Sequence, residues 1–370
     1  MKKVTLDILI PSYRASEPHL LGMLNIRKPA SLEVRYVIVL DNPNANISPC
    51  LSRRLEEPDT ILIRNPENKG APISRNIALD AATAEWVLFW DDDIVPSPEI
   101  LFEYAAAIGR EGDAPGFIGP TCTPAPCNTF TVGVLASDIL TFWHLPKGYD
   151  RLFWGVTANL LIRRHAIGNL RFLPVFPKCG GGEDIDFCIR VVKNAGRPFH
   201  VAWDAKVSHG WWNDGRRSYN RFMRWAYGDS VLSSLFPCYR YYNFPNIVEF
   251  VILGGGAGGV AADFLLGESA PVLLAAVIGG ALLGEFFVEW AKQAVIKGNF
   301  SPVTAVESSL VRASNDLGRF AGHVKNIRLL GMMERFDYFC DGRHLRHERI
   351  VAAVKFTAFV IFTWAILAFV

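Results

Sequence analysis

The sequence predicts an α/β protein with a mostly parallel sheet, followed by a helical membrane region. Three apolar, β-branched runs at residues 6–10, 34–40 and 61–65 each end at a turn or polar signal, as strands do. A helix is expected after the third run, from about residue 68 to 84, and strands that alternate with helices favour a parallel sheet. Long apolar stretches beyond residue 242 indicate membrane helices.

A fourth apolar run, at residues 85–90, ends directly in three acids, Asp91, Asp92 and Asp93. A buried strand that ends in carboxylates delivers them to the edge of an α/β sheet, where oxygen ligands can hold a divalent cation against a diphosphate. A solvated acidic turn before Pro96 is the alternative.

Residues 5 to about 210 resemble the family 2 glycosyltransferases, which have the GT-A fold of nucleotide-diphospho-sugar transferases with a Rossmann-like sheet. Four segments carry the resemblance in the family's order and spacing: Ile10-Pro11-Ser12-Tyr13, Asn68-Lys69-Gly70 with Ser74-Arg75-Asn76, Phe89-Trp90-Asp91-Asp92-Asp93, and Gly182-Glu183-Asp184-Ile185-Asp186. The segment from Arg221 to Trp225 partly resembles a box of membrane synthases. Arg221 stands there in place of the family's Gln, which argues against a processive synthase.

The resemblance implies a metal-dependent, inverting hexosyltransferase. Asp184 is the expected general base, and Glu183 is expected to position the acceptor. Mn²⁺ or Mg²⁺ is expected at Asp93, with Asp91 and His209 completing the metal site. A UDP- or GDP-sugar donor is expected to contact residues from the first three segments and the end of the second strand: Pro11, Tyr13, Asp41, Lys69, Arg75, Asp91 and Asp92.

Each role has a structural alternative. Asp41 precedes Asn42-Pro43 and could form an ordinary Asx turn. Asp184 lies at a predicted helix start, where a carboxylate is stabilised as an anion whether it acts as a base or only as a cap. His209 could be a buried structural histidine. Three glycines at residues 180–182 would allow a close approach of the backbone to a ligand.

Apolar stretches at residues 246–267, 271–290 and 350–370 are each near the roughly 20 residues that cross a bilayer as a helix. Basic residues are concentrated before the first stretch and between the second and third, and such residues favour the cytoplasmic side of a membrane. The catalytic part and residues 292–349 are therefore expected to be cytoplasmic, with the C-terminus outside. Four acids in the first two stretches oppose insertion, so a re-entrant or interfacial pair remains open. These acids are Glu249, Asp263, Glu285 and Glu289.

The predicted domains are a catalytic domain at 1–242, with an amphipathic interface helix at about 215–235, and a membrane region at 243–370. A lipid or polyprenyl-linked acceptor is expected at the plasma or inner membrane. Five side chains are candidates for contact with the acceptor or lipid headgroups: Trp211, Trp212, Arg221, Arg224 and Trp225. The tryptophans could instead stack on a sugar, and the arginines could serve only topology.

Residues 254–259 satisfy the pattern G-x-G-x-x-G but lie inside an apolar run, so we expect helix packing rather than dinucleotide binding. The net charge of +2 gives no reason to expect a nucleic-acid partner. Seven scattered cysteines favour reduced thiols, and residues 1–6 lack the apolar core of a secretory signal. A non-catalytic membrane scaffold is the alternative from another class of function.

Overall fold

The structure is a computed structural model that describes residues 3–178, 180–266, 270–328 and 331–369. Its strands, in chain order, are β1 (Val4–Ser12), β2 (Leu32–Leu40), β3 (Thr60–Arg64), β4 (Trp86–Trp90), β5 (Ile94–Pro96), β6 (Gly116–Ile118), β7 (Thr121–Cys122), β8 (Arg151–Leu152), β9 (Asn159–Arg163), β10 (Phe199–Val201), β11 (Val207–His209), β12 (Arg240–Tyr242) and β13 (Glu334–Phe336).

Its α-helices are α1 (Glu17–Leu24), α2 (Pro49–Leu55), α3 (Ala71–Ala81), α4 (Ile100–Arg110), α5 (Thr129–Ala136), α6 (Thr141–His144), α7 (Arg164–Ile167), α8 (Glu183–Ala195), α9 (Asn220–Tyr227), α10 (Asp229–Leu235), α11 (Ile247–Phe250), α12 (Gly258–Leu266), α13 (Ala270–Lys297), α14 (Pro302–Lys325) and α15 (Leu345–Ala368). A π-helical segment, Val251–Ala257, connects α11 to α12.

The chain forms two compact units. The first comprises the described residues within 1–125 and 141–214, and the second those within 126–140 and 215–370. The boundary expected at residue 242, as a division between catalysis and membrane attachment, stays a prediction.

An eight-stranded sheet in the order β3-β2-β1-β4-β9-β6-β10-β8 forms the core of the first unit. Only β9 and β8 run against the other six strands. The mostly parallel α/β sheet predicted from the sequence is therefore confirmed. All five residues of β4 are buried, as expected for a central strand covered on both faces.

Helix α3 ends three residues before the predicted end at residue 84. The backbone N–H groups of Thr83 and Ala84 both donate to Asp7 Oδ2, at 2.7 and 2.9 Å. Because Asp7 is 1% exposed, these bonds satisfy a buried carboxylate that lies far away in the sequence. This contact explains why the helix is shorter than local sequence suggested.

The edge where β1, β2 and β4 end collects their C-terminal residues. A second sheet, in the order β5-β11-β7, follows directly after the acids at the end of β4. In this sheet His209 pairs with Ile94. The pairing places His209 beside Asp93, the residue that precedes Ile94.

The second unit is mainly helical. The amphipathic helix predicted at about 215–235 is instead two helices, α9 and α10, which meet at Gly228. Within this unit β12 pairs with β13, so residues 240–242 lie against residues 334–336. Six described cysteines are free thiols, as predicted, and Cys179 lies outside the described residues.

Two helices in the described part of the chain are long and apolar enough to cross a membrane, Pro271–Lys297 and Leu345–Ala368. The stretch predicted at 246–267 is helical from Ile247 but includes the π-helical segment, and its last predicted residue lies outside the described residues. Residues 267–269, at the junction of the first two predicted stretches, lie outside the described residues.

Small residues bring the apolar helices together. A Cβ added at Gly255 would lie 2.6 Å from Leu274 Cδ1, which supports the predicted packing role of the glycine run. Gly280 and Gly284 of α13 lie against the backbone of α15, where an added Cβ would be 2.5 Å from the Thr363 nitrogen and 2.9 Å from the Phe359 nitrogen. The sequence analysis did not single out these two glycines.

Three of the four acids expected to oppose insertion have cationic partners. Lys355 lies 2.5 Å from Glu285 and 2.8 Å from Glu289, so one lysine of α15 pairs with two acids of α13. Arg335 lies 2.7 Å from Glu249. Buried charges are tolerated when they are paired, and these contacts offset part of the cost of placing acids among apolar residues.

Candidate active site

Asp92 organises the loop that follows β1. Its Oδ2 accepts hydrogen bonds from Ser12 Oγ at 2.9 Å and from the backbone N–H groups of Tyr13 and Arg14, at 3.1 and 3.2 Å. Its Oδ1 accepts from Arg14 Nη1 at 2.9 Å. Burial raises the pKa of Asp92, while Arg14 opposes the rise. Asp92, expected at the donor, therefore holds the end of β1, which carries Pro11, and the loop after it, which carries Tyr13.

Asp41 has a similar role at the end of β2. Its carboxylate accepts from Asn65 Nδ2 and from the backbone N–H groups of Lys69 and Gly70, each at 2.8 Å. Gly70 has φ +85°, and a Cβ there would lie 2.8 Å from the Lys178 carbonyl oxygen, so glycine is required. Asp41 thus holds the turn that starts α3, and its expected contact with a nucleobase stays a prediction.

Arg75, one turn into α3, connects the two acidic segments. Its Nη2 lies 2.8 Å from Asp91 Oδ1, and its Nη1 lies 3.2 Å from Glu183 Oε1. The guanidinium carbon also lies 5.6 Å from the centroid of the Phe172 ring. Arg75 Nε is buried and has no hydrogen-bond partner among the described residues. Arg75 and Glu183 are both buried, so this pair is shielded from solvent.

The glycines before α8 place Glu183 and Asp184. Gly180, Gly181 and Gly182 have φ of +89°, +136° and +96°, which side-chain-bearing residues rarely adopt. Glu183 accepts from the backbone N–H of Gly181 at 2.7 Å and so turns back into the protein. Its expected role in positioning an acceptor stays a prediction, since the structure pairs it with Arg75.

Asp184 differs from its neighbour because it lacks a strong partner. Among the described residues its carboxylate accepts one hydrogen bond, from the N–H of Ile185 at 2.9 Å. Burial, followed by the charge of Glu183, raises the pKa of Asp184 to about 8, while Arg75 opposes the rise. A half-buried carboxylate with a raised pKa suits a general base that works near neutral or mildly alkaline pH.

Asp93 lies between a cation and a histidine. Arg14 Nη2 is 2.7 Å from Asp93 Oδ2, and His209 Nε2 is 3.2 Å from Oδ1. Burial lowers the pKa of His209, but the contact with Asp93 outweighs burial and leaves the pKa above its ordinary value. The imidazole Nδ1 lies 2.6 Å from the Gly210 carbonyl oxygen, which fixes the ring.

The donor set fits a divalent cation with two protein ligands. The distance between Asp93 Oδ1 and His209 Nε2 resembles the spacing of about 3 Å between adjacent ligands on one ion with bonds of about 2.1 Å. Within the described ranges no group of three or more His, Cys, Asp or Glu side chains converges on one point. Asp91, expected as a further ligand, pairs with Arg75, and its expected role at the metal stays a prediction. Substrate phosphates and water would supply the other ligands.

Aromatic rings surround His209. The Trp143 and Trp212 rings each lie 5.1 Å from the imidazole, and they lie 5.2 Å from each other at nearly a right angle. Trp211 turns elsewhere and donates its indole N–H to the Ala125 carbonyl oxygen at 3.2 Å. The structure therefore separates the two tryptophans that the sequence placed together, and it brings Trp212 to the candidate metal residues.

The remaining candidates, Arg221, Arg224 and Trp225, lie on α9 in the second unit. Arg224 Nε is buried without a hydrogen-bond partner in the part of the chain that the structure describes. The Trp225 ring packs edge-on against Phe222, with centroids 5.6 Å apart. Their expected contacts with an acceptor or headgroups stay predictions.

Sequence reasoning missed Ser12, Arg14, Asn65 and Trp143. Ser12 is the last residue of β1, Arg14 lies two residues beyond it, and Asn65 directly follows β3, so the signal that identified the acids, a polar residue at a strand end, could have found them. Trp143 lies in the four-residue helix α6, in a segment without a recognisable motif. Only the fold brings it to His209.

Residues 7–121 match the sequence model of glycosyl transferase family 2. An uncharacterized glycosyltransferase of Haemophilus influenzae (strain Rd) is 35% identical over 96 residues, which cover 25% of this chain and 31% of that protein. The chain thus spans about a third of the curated relative that it matches. The matched segment includes Asp41, Arg75 and the acids after β4, but it ends before Asp184 and His209.

Solved structures with a similar fold include S. aureus TarS residues 1–349, with a TM-score of 0.46 and 15% identity over 88% of this chain and 92% of TarS 1–349. The same fragment in complex with UDP-GlcNAc has a TM-score of 0.46 and 15% identity over 89% and 93% of the two chains. The segment that matches the family model contains β1 to β4 of the mostly parallel sheet.

Proposed function

We propose, because residues 7–121 match the sequence model of glycosyl transferase family 2, that this protein transfers one sugar from a nucleotide-diphosphate sugar to a lipid or lipid-linked acceptor at a membrane. The observation that carries the proposal is the contact of Arg75 with both Asp91 and Glu183. It joins an acidic segment suited to the donor with the helix start that carries Asp184, the group suited to activate an acceptor.

The donor side of the site must stabilise a departing nucleoside diphosphate. Arg75 contributes a buried guanidinium, whose positive charge would stabilise the negative charge of the diphosphate. A bound Mn²⁺ or Mg²⁺ would offset the charge that develops on the diphosphate. Asp93 and His209 are the residues proposed to hold it, because their ligand atoms are only 3.2 Å apart.

The acceptor side requires a base and a single displacement. Asp184 is proposed to take the proton from the acceptor hydroxyl as its oxygen attacks the anomeric carbon, while the bond to the diphosphate breaks on the opposite face. The configuration at that carbon is therefore inverted. The raised pKa of Asp184 supports this role, since a carboxyl with an ordinary pKa would be a much weaker base.

Membrane attachment is supported by the second unit. Two of its helices, α13 and α15, have the length and composition of membrane spans. Helix α14 also exposes apolar residues that recur along one face, as interfacial helices do: Val303, Val306, Leu310, Leu317 and Val324. A site attached to a bilayer in this way would have direct access to a lipid-borne hydroxyl or phosphate.

The pairing of β12 with β13 supports the proposed topology. It joins residues just before the first apolar stretch to residues just before α15. The chain between them must then cross the bilayer an even number of times. A hairpin that enters near Ile247 and returns along α13 satisfies this, with residues 298–344 on the catalytic side, proposed to be cytoplasmic, and with α15 crossing outward.

The test is to incubate the purified full chain with a panel of UDP- and GDP-sugars and membrane lipids, with Mn²⁺ present, and to identify products by mass spectrometry. We expect one glycosylated lipid that carries a single added sugar, and none with the Asp184→Asn variant. A ladder of products would instead favour a processive synthase. Binding of donor without hydrolysis or transfer under any condition would favour a non-catalytic scaffold and contradict the proposal.

A further inference from the structure

We propose that a groove at the start of α15 binds the phosphate headgroup of an anionic phospholipid. This site lies in the second unit and differs from the candidate active site in the first. The inference rests on the membrane attachment proposed above, but it does not depend on the sugar, the donor or the acceptor.

The groove is shallow and open to solvent, with a volume of about 610 Å³. Its lining combines two arginines with apolar side chains: Gly342, Leu345, Arg346, Arg349, Ile350 and Ala353. On a helix, positions three and four apart share a face, so the lining residues of the first turns form one continuous surface. The surface is cationic at its start and apolar one turn further on.

The two arginines are available to an anion. Both are exposed, and neither forms an ion pair within the described residues. Arg349 lies 6.0 Å from the centroid of the Tyr241 ring, which limits its freedom without neutralising it. By contrast, the neighbouring Arg343 pairs with Asp341 at 2.5 Å and does not line the groove. Glu348 is the only acid in the first turn of α15, and it is exposed.

The apolar half of the groove fits an acyl chain better than it fits a soluble phosphate. Ile350 is 53% exposed, and the surface continues along α15 through Val354, Ile361 and Trp364, all of which are exposed. A free anion would gain nothing from these side chains. A phospholipid would place its phosphate on the arginines and its chain along this surface, in the order in which the two parts occur across a bilayer.

A purely topological role for the arginines would require only their charge near the span and no groove. A purely topological role predicts no preference for an anionic lipid, whereas a binding site predicts that the protein retains one. We therefore compare the wild-type chain with the double variant Arg346→Ala/Arg349→Ala, and with Arg343→Ala as the matched control. Each protein is purified in detergent and titrated with phosphatidylglycerol or phosphatidylcholine, and bound lipids are counted by native mass spectrometry.

The wild-type chain is expected to bind one phosphatidylglycerol more tightly than phosphatidylcholine. The double variant should bind phosphatidylglycerol about 30-fold more weakly, if each arginine contributes about 1 kcal/mol near an anionic lipid. The control should match the wild type. Equal phosphatidylglycerol binding by the wild type and the double variant would overturn the proposal. Displacement of the lipid by millimolar inorganic phosphate would assign the site to phosphate alone and would also overturn it.

Two further measurements separate possible failures. The variant Arg346→Lys/Arg349→Lys keeps both charges but loses the bidentate geometry, so it should bind phosphatidylglycerol with intermediate affinity and melt like the wild type. Donor hydrolysis, measured on the same samples, should be equal in all of them. A chain that binds phosphatidylglycerol through these arginines but never transfers sugar would contradict the proposed enzyme and leave this site standing. If the wild-type protein does not bind to lipid vesicles, both membrane attachment and this site are contradicted.

Discussion

Arg75 and Glu183, 108 residues apart in the sequence, form a buried ion pair in which Nη1 lies 3.2 Å from Oε1. The same guanidinium holds Asp91 through Nη2. One residue of α3 therefore fixes the end of β4 relative to the start of α8. The candidate donor and acceptor groups are thereby positioned by a single side chain.

The first prediction follows from this contact. Arg75→Ala leaves Glu183 buried without its cation, and removal of one partner of a buried pair typically costs about 3–5 kcal/mol. We expect a loss of this size in the free energy of unfolding, measured by chemical denaturation in detergent. Arg171→Ala is the matched control, because its pair with Asp80 is exposed and should contribute less than about 1 kcal/mol. Similar losses in the two variants would show that Arg75 does not hold the two segments together.

The second prediction concerns the proposed cation. Asp93→Ala should abolish the effect of added Mn²⁺ on donor binding, measured by calorimetry. Arg14→Ala should have the opposite effect and bind Mn²⁺ more tightly without donor, because Arg14 competes for Asp93 Oδ2 in the present structure. Full transfer activity of the wild type after treatment with a chelator would exclude a metal requirement.

The third prediction is a pH dependence. Below a pKa of about 8 Asp184 is protonated and cannot act as a base, so kcat/KM should rise with pH and level off above about pH 8. A profile that levels off near pH 4 would show that the base has an ordinary pKa and is another residue.

The same pKa has a consequence for stability. The folded value lies above the value of about 3.9 in an unfolded chain, so the cost of ionising Asp184 is absent below pH 4 and complete above about pH 8. Asp184→Asn removes that cost. The variant should therefore melt at a higher temperature than the wild type at pH 8.5 and at the same temperature near pH 4.

Much of the sheet and the positions of the acids could be predicted, because both depend on local patterns. Apolar runs define β1 to β4, and polar residues at their ends must meet at one edge of a parallel sheet. The partners of those polar residues could not be predicted in the same way. Asp92 accepts hydrogen bonds from the end of β1 and the loop after it, and Asp41 accepts them from the turn before α3. These contacts form only in the folded chain.

The apolar helices of the second unit also have contacts that the sequence does not predict. Composition identified the apolar stretches, but the acids within them were counted as isolated charges. Lys355, some 70 residues away, lies between Glu285 and Glu289. The sequence cannot show this because the pairing depends on how α13 packs against α15. The contact of α13 with α15 likewise involves Gly280 and Gly284, which lie outside the more conspicuous run of glycines near residue 255.

The fourth prediction tests topology. If residues 298–344 are on the catalytic side, a cysteine at exposed Lys325 should react in intact cells only with a reagent that crosses the membrane. A tag added after residue 370 should be accessible from outside. The exposed native cysteines at positions 50, 127 and 238 would first be replaced by serine. Reversed accessibility would show that the chain between β12 and β13 crosses the membrane in another way.

The most direct test of the central claim is the transfer rate of Asp184→Asn. Asparagine keeps the size of the side chain but is not a base, so turnover should fall by roughly 10² to 10⁴, the usual contribution of a positioned general base. Donor affinity should be unchanged, since Arg75 and Asp93 are intact. Transfer at the wild-type rate, or complete loss of donor binding, would contradict the claim that Asp184 is the base.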